Sequence, residues 1–551
     1  MSDRSPRGEH DVTVYANGRI LTMVGETPHH VDALVTRGGR IAFVGPRDEA
    51  LSAFPDAVVR DLAGAALLPG FVDPHSHFIN SLAMGDQVNV TAPPVGPCST
   101  AAEIVTELAR AAAAKGLGPG DLLIGYGYDE NQVPTDHPLT KDDLDPAFPD
   151  NPVLVMHVSL HGAVLNSAAM ETFGLSAQTE TPAGGIIVRR EGTPEPLGLV
   201  METAFLPIMS QLPAPTPEEE LEQLRKGQLI YAAAGVTTAQ EGATHAPQVA
   251  QLQRGAAAGA LFLDVIAYPF ITDMDAVIAA NPVETFGTYV GGLKLGGIKI
   301  TMDGSPQGRT AYFTTPYLTG GPGGEADWRG EPTFPQEFFN DALKKCYDAG
   351  LQVLFHANGD AAIDMILEGH AYAAGGSEDA DRRSTVIHSQ FVRPDQLRKY
   401  AEYHLLPSLY TEHCFFFGDA HLANRGPEQA AYISPIRDAI DLGLRPTNHT
   451  DFNVAPIDQM MVVWSAVTRE RRDGQVLGPD QRISAYEALQ AITVSSARQH
   501  FEEDSKGTLE VGKLADLVIL DADPTAVEPD AIRDIAVLET IKEGVTVYRR
   551  A

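Results

Sequence analysis

Cysteine is scarce: Cys98, Cys346 and Cys414 are the only three in 551 residues. An odd, scattered set makes no disulfide framework and points to a reducing, cytoplasmic compartment. Basic residues are also few, 40 Lys plus Arg against 73 Asp plus Glu, for a formal net charge of −33. That surplus of acid disfavours nucleic acid and anionic membrane surfaces as partners. No run of about 18 apolar residues occurs, so a membrane span is not expected. The opening MSDRSPRGEHDVTVYANGR lacks the apolar core of a signal peptide, so secretion is not expected either. Low-complexity tracts and solenoid repeats are absent. What is present is an ordinary folded composition, 44% hydrophobic and 21% charged, with the acid on a globular surface.

The first seventy residues, roughly, alternate short β-type runs (VTVYA, ILTM, ALVTR, RIAFVG) with turn pairs, Asn17-Gly18 and Gly38-Gly39, as in a small antiparallel sheet. The last fifty or so do the same, with LADLVILDA and VTVYR as strands punctuated by Gly507, Gly512 and Gly544. Neither end is long enough to bury a core alone, so residues 1–68 and 502–551 are expected to form one domain. The middle, 69–501, is then a continuous insertion between them. From about Gly235 to Ala497 it repeats a β-then-α pattern, the mark of an α/β protein with a parallel sheet. Helix signals fit that register: Gly350 closes PQEFFNDALKKCYDAG, a proline opens RPDQLRKYAEYH, and Ser484 with Glu487 forms a capping box. The less regular stretch from about 85 to 225 reads as an insertion after the first barrel strand.

The first candidate for chemistry is LPGFVDPHSH, which ends in His75 and His77. On an extended strand, positions i and i+2 face one side, so both imidazoles can reach one metal ion. Alone the pair is weak, because two polar residues at a strand-to-loop junction are common. Phase strengthens it. His356 ends LQVLFH, His388 ends STVIH and Asp451 follows RPTNHT. The separations are 388 − 356 = 32 and 451 − 388 = 63, about one and two repeats of an eight-unit barrel of roughly 250 residues. Each residue lands at the C-terminal end of a strand, the face on which such barrels build active sites. Lys299, in GGLKLGGIKITMDG, cannot ligate as an ammonium. Its reaction product with carbon dioxide, an anionic carbamate, could bridge two cations; the alternative is a Lys299–Asp303 ion pair.

Several motifs, in order, resemble the amidohydrolase superfamily, and within it the large amidohydrolase family 3 enzymes of the N-substituted formamide deformylase and YtcJ-like type. They are GFVDPHSHF, GYGYDEN, HGAVLNSAAM, GGIKITMDGSPQGRTA, FHANGDAAIDMIL, IHSQFVRPDQLRKYAE, HTDFNVAPIDQMMVVWSAVTR and GTLEVGKLADLVILD, and they cover nearly the whole chain. The resemblance implies a metal-dependent (β/α)8 TIM barrel with a composite β-sandwich formed by both termini. It also implies a binuclear site: His75 and His77 as first-strand ligands, Lys299 as the N6-carboxylated bridge, His356 and His388 as the second pair, and Asp451 as the last-strand acid. Zinc is the first choice of metal, with Mn, Fe or Ni open, and a single-ion site is the alternative.

Such a ligand set implies hydrolysis of a non-peptide carbon–nitrogen bond (an amide, cyclic amide or N-substituted formamide) by a metal-activated hydroxide. Asp451 would take the proton of the hydroxide and return it to the leaving amine. His161 resembles a substrate-facing histidine, His413 is placed to bind the developing oxyanion, and His449 to orient Asp451 or touch substrate. Asp360 is expected to cap the helix that follows it. Of Tyr126, Tyr128, Phe415, Phe416, Phe417 and Trp464, about two are expected to line an apolar pocket. Alternative reactions are hydrolysis of an ester, lactone or carbamate and deamination of a free nucleobase. A non-catalytic scaffold has no physical use for six filled ligand positions. The expected partner is a small molecule, and a homo-oligomer is allowed.

Overall fold

Gly38 and Gly39, at φ of 58° and 79°, turn the strand His30–Arg37 directly into Arg40–Gly45. Two successive positive φ values are the geometry that joins two strands without splaying them. The expected turn at Asn17-Gly18 is instead a bulge inside the strand Thr13–Leu21, whose register shifts between Ala16 and Ile20. A Cβ at Gly18 would lie 2.4 Å from the Ala65 carbonyl oxygen, so close strand approach, not chain reversal, requires glycine there. The computed structural model describes residues 12–93, 96–129, 137–158, 162–182, 184–212 and 215–550.

Both ends of the chain share one eight-stranded sheet. Its order is Val545–Arg549, Val537–Lys542, Leu517–Leu520, Ala66–Pro69, Thr13–Leu21, His30–Arg37 and Arg40–Gly45, with Val58–Asp61 paired to Thr13–Leu21. The sheet is mixed, since Thr13–Leu21 runs parallel to two of its neighbours. The seam between the two ends is the antiparallel pairing of Ala66–Pro69 with Leu517–Leu520, and every residue of both strands is buried.

Two parallel sheets follow in chain order. The first holds Phe71–Val72, Val236–Thr244, Asp264–Pro269 and Leu293–Leu295. The second holds Gly297–Thr301, Gln352–Ala357, Thr385–His388, Leu406–Leu409 and Thr447–Asn448. A parallel bridge from Phe270 to Lys299 joins them. The anticipated helix signals fall where the helices begin and end: Pro394 opens Pro394–Tyr403, Ser484 caps Ala485–Ala491, and Gly350 follows Gln336–Asp348 at φ 70°. Asp360 does not cap its own helix. Its carboxylate accepts from the Thr314 N–H and hydroxyl at 2.9 and 2.5 Å and pairs with Arg393. Among the described residues no helix is long and apolar enough to cross a membrane.

Contacts divide the chain into two units, Asn80–Gly227 and the remainder. The unit Asn80–Gly227 has its own six-stranded sheet, running from Gly185–Arg189 to Val88–Asn89, and a helix, Ala101–Lys115, capped by Thr100 and closed by Gly116. Tyr128 is buried in one of its two apolar clusters, and Tyr126 packs against the other.

In the other unit, the terminal sheet is fastened to the parallel strands by buried charge. Lys542 donates to Asp264 at 2.6 Å and to Asp516 at 2.7 Å, and Lys506 pairs with Asp264 at 2.8 Å and Glu502 at 2.6 Å. Burial works to raise the Glu502 carboxyl, but Lys506 and Lys294 outweigh it and lower it from 4.5 to about 2. Removing one partner of such a pair leaves a buried charge uncompensated. Lys542→Met is therefore expected to cost about 3–5 kcal/mol in urea denaturation; a loss below about 1 kcal/mol would contradict this role. Since its folded value is depressed, Glu502 contributes fully above pH 4.5 and progressively less as the pH falls toward about 2. The urea midpoint should drop across that window, and less steeply in Glu502→Gln.

Candidate metal centre

His75 stands just beyond the strand Phe71–Val72, in a segment pinned by a buried carboxylate. Asp73 accepts from the backbone N–H groups of His75 and Gln240, both at 3.3 Å, and from the Ser76 hydroxyl. Burial pushes the Asp73 carboxyl up to about 7. Gln240 fixes the histidine tautomer. Its Oε1 accepts from the Ser76 N–H at 3.0 Å and lies 3.1 Å from His75 Nδ1. An oxygen that already accepts a backbone N–H is met by a proton on Nδ1, so His75 keeps a bare Nε2. Sequence reasoning missed both Asp73 and Gln240. Asp73 lies inside the first motif, whereas nothing in the chain pattern links Gln240 to it.

His75 Nε2 lies 3.3 Å from Asp451 Oδ1 and 3.4 Å from Lys299 Nζ. His77 Nε2 is 3.4 Å from the same Asp451 oxygen. Donor atoms of His75, His77 and Asp451 lie within 4.8 Å of one another. His388 packs its ring 4.6 Å from that of His356, centroid to centroid, and 5.5 Å from that of His75. His75, His77, Lys299, His356, His388 and Asp451 all line one cavity of about 260 Å³, and His413 lines it with them.

His449 lies elsewhere. It is buried behind His388, with Nε2 3.0 Å from His388 Nδ1 and Nδ1 3.0 Å from Ser408 Oγ. A proton on Nδ1 of each ring satisfies both contacts and leaves His388 with a bare Nε2. His161 falls outside the described residues. Phe417 packs on His413 with centroids 4.8 Å apart, while Trp464 is a core residue. Asp303 does not pair with Lys299 among the described residues. Its carboxylate accepts from the N–H groups of Asn358, Gly359 and Tyr312 at 2.9, 2.8 and 3.0 Å.

The site combines shifted electrostatics with unusual backbone conformations. Burial lowers the Lys299 ammonium to about 7 against the pull of Asp451 and Glu241. His388 and Asp451 adopt φ of 69° and 53°, the left-handed region that non-glycine residues seldom occupy. Such conformations persist where the surroundings over-determine them, typically at functional sites.

The donor set suits a divalent cation. Among the described residues Asp451 Oδ1 and His356 Nδ1 are buried without a hydrogen bond, though Asp303 Oδ1 stands 3.4 Å from the latter, and neutral imidazole with carboxylate is a common transition-metal ligand combination. Parallel strands whose ends bring together imidazoles, an amine and a carboxylate make a metal-binding site on an α/β scaffold. The chain belongs to the amidohydrolase family, whose profile matches residues 58–548. It is a hydrolase of carbon–nitrogen bonds other than peptide bonds. It is 26% identical to N-substituted formamide deformylase of Arthrobacter pascens over 94% of this chain and 95% of that one. With YtcJ of Bacillus subtilis (strain 168) it shares 27% identity over 98% of this chain and 99% of the other. A crystal structure of an uncharacterized metal-dependent hydrolase from Pyrococcus horikoshii superposes with a TM-score of 0.73 at 22% identity, covering 94% of this chain and 99% of that one. That likeness shows the fold, the TIM-barrel fold of metal-dependent hydrolases.

Gly242 gives a direct test of the site's packing. A Cβ there would lie 2.3 Å from Cε1 of His75 and 2.6 Å from its Nδ1. Gly242→Ala is expected to displace the ring, lowering metal affinity by about 10–100-fold, the scale seen when a ligand's support is lost. Metal titration followed by elemental analysis checks it, with circular dichroism unchanged.

Proposed function

We propose that the chain hydrolyses an amide, cyclic amide or N-substituted formamide of low molecular weight. The observation that carries this reading is the convergence of imidazoles and a carboxylate on one cavity beside Lys299. In it His75, His77, Lys299, His356, His388 and Asp451 hold two divalent ions, zinc by preference, with Lys299 carboxylated on Nζ. Ions held by these residues would lower the pKa of a bound water from 15.7 to about 7 and would polarise the substrate carbonyl.

The residues do the remainder. Asp451 takes the proton of the attacking water and returns it to the leaving nitrogen as the carbon–nitrogen bond breaks, so a carboxylic acid and an amine are released. His413 meets the carbonyl oxygen as charge develops on it. His449 holds the His388 ring in place, and His161 is the further candidate for contact with substrate. Full-length coverage of a relative named for N-substituted formamides supports that substrate class.

The two parallel sheets are read as arcs of one closed eight-stranded barrel over 69–501, with Leu293–Leu295 and Gly297–Thr301 counted as one strand interrupted at Gly296. The terminal sheet, 1–68 and 502–551, is read as a composite β-sandwich, and the unit Asn80–Gly227 supports an insertion after the first barrel strand. Scarce cysteine and surplus acid support a cytoplasmic setting and a small-molecule partner.

Purified protein is expected to hold between one and two transition-metal ions and to lose activity to a chelator. Less than one ion per chain with chelator-indifferent turnover would sink the reading. Lys299→Ala should lose metal and activity together, with partial return in short carboxylic acids. Asp451→Asn should lower kcat by roughly 10²–10⁴-fold, the range for a lost general acid–base. Comparing N-butylformamide with butyl formate decides between carbon–nitrogen and ester cleavage.

A further inference from the structure

The helix His413–Ala431 carries two histidines, His413 in its first turn and His421 about two turns on. Their rings are nearly coplanar, 8° apart, with His413 Nδ1 2.9 Å from His421 Nε2. His413 lines the cavity that holds His75, Lys299 and Asp451. Its Nδ1 is engaged, so Nε2 is the nitrogen left to meet a ligand. His421 is fully buried, packs against the ring of Phe391, and has an Nδ1 with no hydrogen-bond partner.

One proton lies between the two rings, and its owner decides what His413 offers the cavity. If His413 donates from Nδ1, its Nε2 is a bare acceptor, and neutral His421 must then carry its own proton on Nδ1, buried without an acceptor. If His421 donates from Nε2, its Nδ1 is only an unused lone pair, and His413 presents an N–H to the cavity. A buried N–H with no acceptor is the costlier of the two orphans. Both rings are held neutral, chiefly by burial, so neither arrangement is replaced by a charged one near neutral pH.

We propose that His421 is a positioning residue: by donating its Nε2–H to His413 Nδ1, it fixes the tautomer in which His413 Nε2–H is a hydrogen-bond donor to the substrate's carbonyl oxygen. The role at the carbonyl rests on the hydrolytic reading above; the tautomer does not. No group is transferred, and His413 acts as a neutral donor whose strength rises as negative charge builds on the oxygen. His421 is a third support missed by sequence reasoning, although it stands eight residues beyond His413.

The test uses the full-length protein labelled with ¹⁵N in its histidines. Long-range ¹H–¹⁵N spectra separate protonated from bare ring nitrogens, and the His413 signals are those absent from His413→Gln. The expected pattern is a protonated Nε2 and a bare Nδ1 on His413. A bare Nε2 overturns the proposal whatever the activity, and this measurement needs no variant of His421.

Kinetics with N-butylformamide then read the consequence. His421→Leu is expected to lower kcat by about tenfold with KM within about twofold, short of the 10²–10³-fold lost when an oxyanion donor is removed outright. His421→Gln, whose amide can donate to the same Nδ1, should restore most of it. An unchanged kcat in His421→Leu, or a Gln variant no better than Leu, overturns the role at the carbonyl. If the wild-type protein hydrolyses no formamide at all, the hydrolytic reading falls, and the spectrum alone still decides the tautomer.

Discussion

The site rests on one constraint: a carboxylate, Asp451, is kept out of water among imidazoles that are themselves kept out of water. Each group alone is expensive to bury, and the arrangement is tolerable only if every ring nitrogen has a defined job. The chain meets that demand with a support behind three of the cavity histidines. Gln240 stands behind His75, His449 and Ser408 behind His388, and His421 behind His413. The groups at the cavity are therefore only half of the site, because their tautomers and angles are set one layer further out.

A second layer of buried charge holds the scaffold beneath. Asp264 and Gln352 lie at the starts of parallel strands, while His356 and His388 lie at strand ends. Lys542, from the terminal sheet, reaches Asp264 at the strand starts. Ionic fastening thus sits at the start of a parallel strand, and the site's histidines lie at the opposite ends of neighbouring ones. Each can be tuned without direct contact with the other.

Much of this was legible before any coordinates. Strand-end phase placed His356, His388 and Asp451 on one face, and the i, i+2 pair His75 and His77 joined them. The Gly38-Gly39 turn and the Ser484 capping box are local devices, and local devices can be read from letters. Asn17-Gly18 misled because a bulge and a hairpin turn both call for residues that accept positive φ. Asp360 misled because a carboxylate at a helix start is equally able to serve a distant loop. Gln240 could not be read at all: it meets His75 across 165 positions of sequence, and only the pairing of two parallel strands brings them together.

The seam of the terminal sheet has a consequence for how the chain is made. Ala66–Pro69 is among the first strands to leave the ribosome, yet its partner Leu517–Leu520 is among the last. At roughly 5–20 residues per second, that edge stays unpaired for tens of seconds during synthesis. All four of its residues are apolar and end up buried, so for that interval the nascent chain displays the kind of bare, sticky edge that recruits stray strands. A chain in which strands so far apart in sequence complete each other is more exposed to aggregation during synthesis than in its finished state.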